Sequence, residues 1–175
     1  MKSSNFYDLD YSDLTNFFTT NSSLDPKKIN MRANQIWKFV YKKGLNQVSD
    51  FSNLPADLKE DLKENFNFNR IEISEKKISK DGTIKWLLKL ADNNLVETVF
   101  IPSEKRGTLC ISSQVGCTLN CKFCHTGTQR MVKNLTTHEI INQILVAKDE
   151  LNDWGTQKKI TNVVYMGMGE PFYNY

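Results

Sequence analysis

The sequence lacks any long hydrophobic run, and no stretch approaches the roughly 18 consecutive apolar residues of a membrane-spanning helix. Its first ten residues, Met1–Asp10, also lack the apolar segment of a secretory signal peptide. The first absence argues against a membrane protein and the second against a secreted one. We therefore expect a soluble, cytoplasmic protein with no membrane partner.

The chain contains only four cysteines. Its charge is nearly balanced, since 23 basic and 20 acidic side chains give a net charge of +3. This mild bias permits a nucleic-acid partner without arguing for one. In a cytosolic chain, four cysteines are more often metal ligands or catalytic groups than disulfide partners. Three of them fall between Cys117 and Cys124, a clustering that disulfide pairing does not explain.

Residues 1–68 predict a small helical module, because apolar residues recur there at helical spacing. The apolar positions are Tyr11, Leu14, Phe17 and Phe18 in the first helix, Ile29, Ala33, Ile36, Trp37, Val40 and Tyr41 in the second, and Leu58, Leu62 and Phe66 in the third. Gly44 is suited to end the second helix, and Pro55 to begin the third. Basic residues between Lys27 and Lys43 decorate the second helix, where they could meet phosphates but more often form a solvated face.

Beyond residue 68 the apolar pattern changes to the alternation that is typical of strands. The predicted strands are 70–78, 84–90, 95–101 and 108–114, with hairpin turns at Asp81–Gly82 and at 92–94. Residues 69–106 therefore predict an antiparallel β meander. The strand over 108–114, a helix over 137–151 and a strand over 160–166 make one βαβ unit, which is typical of parallel sheets and barrels. The predicted fold class is α/β.

The segment between the fourth strand and the helix carries the three clustered cysteines, Cys117, Cys121 and Cys124, separated by three and then two residues. Three thiolates on one short loop can each hold one iron of a [4Fe-4S] cluster and leave the fourth iron without a protein ligand. The alternative is a zinc site completed by His125 or Cys110. Zinc sites more often use paired C-x-x-C units, and His125 directly follows Cys124, so the spacing favours iron.

A second motif, Gly167-Met168-Gly169-Glu170-Pro171, follows the last predicted strand. Glycines at a strand end let a ligand approach the backbone, and a carboxylate there could accept hydrogen bonds from a charged amine. Alone the motif also fits an ordinary turn. In a chain that also carries the loop of Cys117, Cys121 and Cys124 (the cysteine loop), the motif resembles the SAM-binding turn of the radical S-adenosylmethionine (SAM) superfamily. That resemblance implies that SAM binds the open iron and contacts Gly169 and Glu170, and that an electron from the cluster cleaves it to a 5′-deoxyadenosyl radical.

Longer segments of the chain narrow the resemblance from the superfamily to one family within it. Residues 32–37, 97–102, 108–117 and 160–171 are similar to the RlmN family of dual-specificity methyltransferases, which modify carbon 2 of adenine in 23S rRNA and tRNA. The resemblance implies an RNA-binding-like accessory domain over residues 1–68 and the start of an incomplete radical SAM (β/α) barrel over residues 107–175. It also implies 23S rRNA and tRNA as partners, a flavodoxin-like electron donor and a monomer.

The RlmN family uses a methylated cysteine near its C-terminus, and the resemblance assigns roles to two residues of this chain. Cys110 lies at the position of the second cysteine, which pairs with the methyl-carrying one in a disulfide; the pattern alone also fits a small buried strand residue. Glu97 matches the proton acceptor. Alternation places it on the face of Leu95 and Ile101, which we expect to be buried, and a buried carboxylate suits a general base. The alternative is an edge glutamate that reaches solvent.

The motifs leave several functions open. No cysteine follows Cys124, and we expect a truncated chain that does not turn over alone. The rivals are a Cfr-type enzyme that methylates carbon 8 of the same rRNA adenine, a zinc-dependent RNA-binding module, and a radical SAM enzyme that acts on protein. Lys122, Arg130 and Lys133 could contact phosphates in an RNA partner.

Overall fold

The structure is a computed structural model that describes residues 4–21, 24–119 and 121–175. Met1–Ser3 of the predicted helical module and Asn120 of the cysteine segment lie outside the described residues. The chain divides into two compact units, Met1–Asn69 and Arg70–Tyr175. Within the described ranges, no helix is long and apolar enough to cross a membrane.

The first unit contains the three helices that apolar spacing predicted. Its elements are β1 (Ser4–Asn5), α1 (Tyr11–Asn21), α2 (Ile29–Tyr41), α3 (Ala56–Asn65) and β2 (Phe66–Asn67), with short 3-10 turns at Phe6–Asp8, Pro26–Lys28 and Val48–Asp50. Strands β1 and β2 pair in parallel. Phe6 stacks on Phe68 with ring centroids 4.5 Å apart, and the Tyr7 hydroxyl donates to the Phe68 carbonyl at 2.8 Å. Aromatic packing therefore closes the two ends of this unit onto each other.

Helix α2 buries most of the predicted stripe, since Ile29, Ala33, Ile36 and Val40 are all buried. Phe39, which the stripe omitted, is buried as well and stacks on Phe51 with ring centroids 5.3 Å apart. The apolar face is therefore wider than the sequence indicated.

The second unit is built on a five-stranded sheet in the order β3-β4-β5-β6-β9. Its elements are β3 (Glu72–Ile78), β4 (Ile84–Lys89), β5 (Leu95–Pro102), β6 (Gly107–Cys110), β7 (Gln114–Val115), β8 (Lys133–Asn134), α4 (Thr137–Leu151) and β9 (Asn162–Val164), with 3-10 turns at Thr126–Thr128 and Pro171–Tyr173. Strands β3 to β6 form an antiparallel meander, and β9 joins β6 in parallel after the crossover through α4. Strands β6 and β9 are shorter than predicted, because the chain turns away from regular pairing after Cys110 and Val164.

The apolar core of this unit lies on one face of the sheet. Trp86, Leu88, Val96, Phe100 and Leu109 of the sheet cluster with Val146, Ala147 and Leu151 of α4. The sequence pattern was wrong about β5: Val96, Thr98 and Phe100 are buried, whereas Leu95 and Ile101 are exposed by 39% and 47%. Glu97 therefore lies on the open face, and its side chain is 43% exposed. The buried row tolerates Thr98 because its hydroxyl donates to Gln143 Oε1 of α4 at 2.9 Å.

Gln143 joins α4 to the sheet through polar contacts inside this core. Its side chain is fully buried. Besides the Thr98 hydroxyl, its Oε1 accepts from the Ser112 backbone N–H at 2.7 Å, and its Nε2 donates to the Ser112 carbonyl at 2.9 Å. The one amide thus satisfies both backbone groups of a buried residue that has left the β ladder.

Lys133 lies between two carboxylates at the start of α4. Its ammonium is 2.6 Å from Asp92 Oδ2 and 2.7 Å from Glu139 Oε1, and the Glu139 side chain is only 5% exposed. The hydrogen bond from Lys133 lowers the pKa of Asp92 from 3.8 to about 2. Partial burial opposes the charge of Lys133, but its hydrogen bonds to both carboxylates outweigh that effect and raise its pKa. Lys133, which the sequence offered as a phosphate contact, is thus engaged within the protein.

We expect Lys133→Met to lower the free energy of unfolding by about 2 kcal/mol at neutral pH, because it leaves both the Asp92 and the buried Glu139 carboxylates without their cation. A depressed carboxyl pKa contributes stability above the unfolded value, and that stability is lost as pH falls toward the folded one. The cost of the substitution should therefore shrink between about pH 4 and about pH 2 as Asp92 takes up a proton. Urea denaturation across this range measures it, with exposed Lys80→Met as the control. An equal loss of stability at about pH 4 and about pH 2 would contradict the role of Lys133 as the partner of Asp92.

Candidate functional site

The two sequence motifs meet because the strands that precede them are parallel neighbours. Cys110 of β6 lies opposite Val164 of β9. Just beyond these strands, the Gly167 N–H donates to the Ile111 carbonyl at 3.1 Å, and the Ser113 N–H donates to the Met168 carbonyl at 2.8 Å. Residues 167–171, which we call the Gly–Glu turn, therefore lie against the segment that leads into the cysteine loop.

Gln114 connects the cysteine loop, strand β8 and the Gly–Glu turn. Its buried Nε2 donates to Thr118 Oγ1 at 2.9 Å and to Asn134 Oδ1 at 2.8 Å. Its Oε1 accepts from the Thr118 N–H at 3.3 Å and from the Glu170 N–H at 3.0 Å. The sequence pattern gave no sign of this role, because the partners lie within the cysteine loop and as far as 56 residues after Gln114.

Gly169 is required by the protein's own packing. Its φ is +97°, and a Cβ there would lie 2.5 Å from the Cβ of Gln114. Gln114 thus occupies the space that a side chain at position 169 would need. Contact of Gly169 with SAM stays a prediction. One carboxylate oxygen of Glu170 accepts from the Phe172 N–H at 3.1 Å and so caps the turn at Pro171–Tyr173. The carboxylate's other oxygen keeps acceptor capacity for a ligand.

The three clustered cysteines are free, half-buried thiols on an irregular loop. Backbone groups point at two of them: the Leu119 N–H donates to Cys117 Sγ at 3.3 Å, and the N–H groups of Gly127 and Thr126 lower the pKa of Cys124. Within residues 4–21, 24–119 and 121–175, no three His, Cys, Asp or Glu side chains are close enough to hold a metal ion. The donor set nevertheless fits an iron–sulfur cluster, since N–H groups directed at sulfur stabilise thiolate ligands.

Glu97 and Cys110 share the open face of the sheet. Val99 lies opposite Cys110, and Glu97 is two residues from Val99 on the same strand. The Lys85 ammonium contacts Glu97 Oε1 at 2.8 Å. Partial burial raises the pKa of the Cys110 thiol. The structure thus brings the two residues to one surface, in a sheet whose β6 leads directly into the cysteine segment.

All four cysteines are free. The cysteine expected to pair with Cys110 is not among these 175 residues, so that disulfide stays a prediction. His125, the other zinc-ligand candidate, is exposed immediately before the turn at Thr126–Thr128. Cys110 differs from Cys124 in the direction of its pKa shift, upward against downward. Because thiolates are the form that binds metals, the lowered pKa makes Cys124 the better metal ligand of these two cysteines.

Comparison with known proteins identifies relatives for both units. Residues 4–68 match the family model described as the ribosomal RNA large subunit methyltransferase N-terminal domain. Proteins called dual-specificity RNA methyltransferase RlmN from Rhodopseudomonas palustris, Rhizobium meliloti and Chelativorans sp. are 48%, 47% and 49% identical over 86%, 85% and 85% of the chain. The chain spans 41%, 40% and 41% of these relatives' own lengths.

A solved structure is also similar to this chain. The crystal structure of a radical SAM methyltransferase from Sphaerobacter thermophilus superposes with a TM-score of 0.85 at 32% identity, over 98% of this chain and 49% of that one. The mixed α/β architecture is therefore shared with a protein of that class.

Proposed function

Because the chain belongs to the RlmN family, we propose that it takes part in radical SAM methylation of adenine carbon 2 in 23S rRNA and in tRNA. The observation that carries the proposal is the meeting of the cysteine loop and the Gly–Glu turn at neighbouring ends of the parallel strands β6 and β9. Glu97 and Cys110 lie on a face of that same sheet. The residues proposed to bind the cofactors and to act as acid–base groups therefore all belong to one unit.

We assign the cluster ligands to Cys117, Cys121 and Cys124, and the SAM contacts to Gly169 and Glu170. When bound, the [4Fe-4S] cluster and SAM supply a radical that abstracts hydrogen from a methyl group. The chain's part is to hold the two motifs in register. Gln114 does so, because its single amide bonds both the loop that carries the cysteines and the backbone of Glu170.

Glu97 is the proposed proton acceptor for the hydrogen that leaves adenine carbon 2. Its exposure on the open sheet face leaves the carboxylate accessible to an adenine base of the RNA. The contact with Lys85 restricts the orientation of the carboxylate. Cys110 is the proposed partner of a methyl-carrying cysteine. Partial burial raises the pKa of its thiol, so its reaction with that cysteine requires removal of the thiol proton.

The finer organisation follows from the same proposal. Residues 1–68 act as an RNA-binding accessory domain, residues 69–106 extend the sheet, and residues 107–175 begin a (β/α) barrel whose interior is the face of Glu97 and Cys110. The protein works in the cytoplasm as a monomer and receives electrons from a flavodoxin-like donor. No cysteine follows Cys124 within these 175 residues, so the methyl-carrying cysteine is not among them.

Anaerobic reconstitution with iron and sulfide tests the cofactor assignment. We expect a brown protein that contains iron and sulfide, and we expect Cys121→Ala to lose nearly all of both, because the two remaining thiolates do not retain the cluster. Cys110→Ala is the matched control and should keep them. Stoichiometric zinc without colour, or equal losses in the two variants, would favour the zinc-dependent RNA-binding module instead.

Mass spectrometry of nucleosides tests the reaction itself. The chain is supplemented with the segment of a family relative that carries the late cysteine, and is incubated with SAM, a reductant and unmodified 23S rRNA and tRNA. The expected product is adenosine methylated at carbon 2 in both RNAs, and the chain alone should give none. Methylation at carbon 8 would identify a Cfr-type enzyme. A modified peptide in place of a modified nucleoside would favour the radical SAM enzyme that acts on protein.

A further inference from the structure

Two basic loops border a cleft at the end of the sheet opposite the cysteine loop. The turn 103–106 joins β5 to β6, and the loop 152–161 joins α4 to β9, so both precede the strand ends from which the two motifs extend. The cleft has a volume of about 330 Å³. Its charged lining consists of Lys105, Arg106, Lys158, Lys159 and Glu104.

Gly107 holds the two loops side by side. Its N–H donates to Thr161 Oγ1 at 3.2 Å, and its carbonyl accepts from the Thr161 N–H at 2.8 Å. A Cβ at this position would lie 1.8 Å from the Lys159 carbonyl oxygen, so a larger residue would push the loops apart. The buried Asp153 fixes the second loop by accepting from the N–H groups of Lys159 and Ile160, at 2.6 and 3.2 Å. The cleft is therefore a fixed feature of the fold.

The charge of the cleft is strongly unbalanced. Four cationic side chains face one carboxylate, that of Glu104. The Lys159 ammonium is used internally, since it donates to the Leu151 carbonyl at 2.6 Å. Among the described residues, Lys105, Arg106 and Lys158 form no ion pair, whereas Lys76, Lys85 and Lys133 of the same unit each contact a carboxylate. Unpaired cations in a concave site concentrate positive potential and attract polyanions.

We propose that this cleft binds phosphate groups of an RNA backbone, at a site separate from the cysteine loop. The inference rests on the proposed function in that RNA is the partner. Arginine and lysine donors suit phosphate oxygens, which accept several hydrogen bonds at once. The aromatic ring in the lining, Phe100, is 6% exposed, so it offers little surface on which a base could stack. The site therefore holds RNA in position without reading its sequence.

Salt-dependent binding of fluorescently labelled tRNA to the protein tests the proposal. Each phosphate contact contributes about 0.9 to the slope of log affinity against log salt. We expect Lys105→Ala and Lys158→Ala each to reduce that slope by about 1 and to raise Kd about fivefold near physiological salt, and the double variant to raise it about 25-fold. Lys80→Ala, which removes the same charge from an exposed turn, is the matched control.

The outcomes separate this inference from the proposed function. Parent protein that binds tRNA, with unchanged slopes in the cleft variants or with equal changes in Lys80→Ala, would overturn the cleft and leave the proposed function standing. Parent protein that binds no tRNA would overturn both. Thermal denaturation and reconstituted iron content should match the parent in all variants, so a selective loss of tRNA affinity supports the cleft.

Discussion

Replacing Gln114 by leucine is expected to lower the free energy of unfolding of the second unit by about 3 kcal/mol and to prevent stable retention of the cluster. Leucine has a similar volume but removes every hydrogen bond of the amide. The Thr118 and Glu170 N–H groups, 3.3 and 3.0 Å from the amide oxygen, would then lack their partner. These hydrogen bonds are partly buried, and each of the bonds that the amide makes contributes about 0.5–1.5 kcal/mol.

The decisive measurement for Gln114→Leu is iron content after anaerobic reconstitution, at a temperature where the variant remains folded by circular dichroism. Gln157→Leu is the control for the chemical change, because Gln157 is exposed. We expect the Gln114 variant to lose most of its iron and the Gln157 variant to keep it. Full iron retention by a folded Gln114→Leu protein would show that the cysteine loop is held by other contacts.

Gln143→Leu is expected to be at least as destabilising, by about 3–4 kcal/mol, without affecting the cysteine loop. The substitution leaves the N–H and the carbonyl of Ser112 and the Thr98 hydroxyl without their hydrogen-bond partner. All three groups lie in a buried layer between α4 and the sheet. Urea denaturation of the apo-protein measures the loss, again against Gln157→Leu, which should change stability by less than about 0.5 kcal/mol. A Gln143 variant as stable as its control would mean that α4 is held by its apolar face alone.

The two buried-glutamine variants also form a matched pair. Both lose a fully buried amide in the same unit, yet only Gln114 contacts the cysteine loop and the Gly–Glu turn. If iron retention followed stability alone, the two variants would lose iron in proportion to their denaturation midpoints. We expect the Gln114 variant to lose iron at a stability at which the Gln143 variant still retains it.

Local patterns were sufficient for most of the secondary structure. The spacing of Leu58 and Leu62 indicated α3, and Asp81–Gly82 indicated the β3–β4 hairpin, because helix faces and tight turns depend on neighbours within a few residues. Strand β5 was harder, since both of its alternating rows contain apolar residues. The row with Thr98 is buried because Gln143 supplies a hydrogen bond from a helix 45 residues away. No local pattern carries that information.

The sequence offered candidate ligands for the site but none of the residues that support them. Cysteine spacing and the Gly–Glu motif signal chemistry directly, because few other functions need those residue types in that order. Gln114 and Lys85 are ordinary polar residues whose importance comes from which segments they join. Their roles depend on the parallel pairing of β6 with β9 and on the register of β4 with β5, and both are properties of the folded sheet.

The crossover between β6 and β9 sets the order in which the second unit can form. Strands β3 to β6 pair with their neighbours in sequence, so they can assemble early, whereas β9 must wait for closure of the long connection over residues 111–161. The three cysteines proposed as ligands lie within that connection and precede the Gly–Glu turn in the chain. On that proposal the thiols are open to other thiophilic ions until β9 docks, so we expect the timing of iron delivery relative to folding to affect which metal the protein binds.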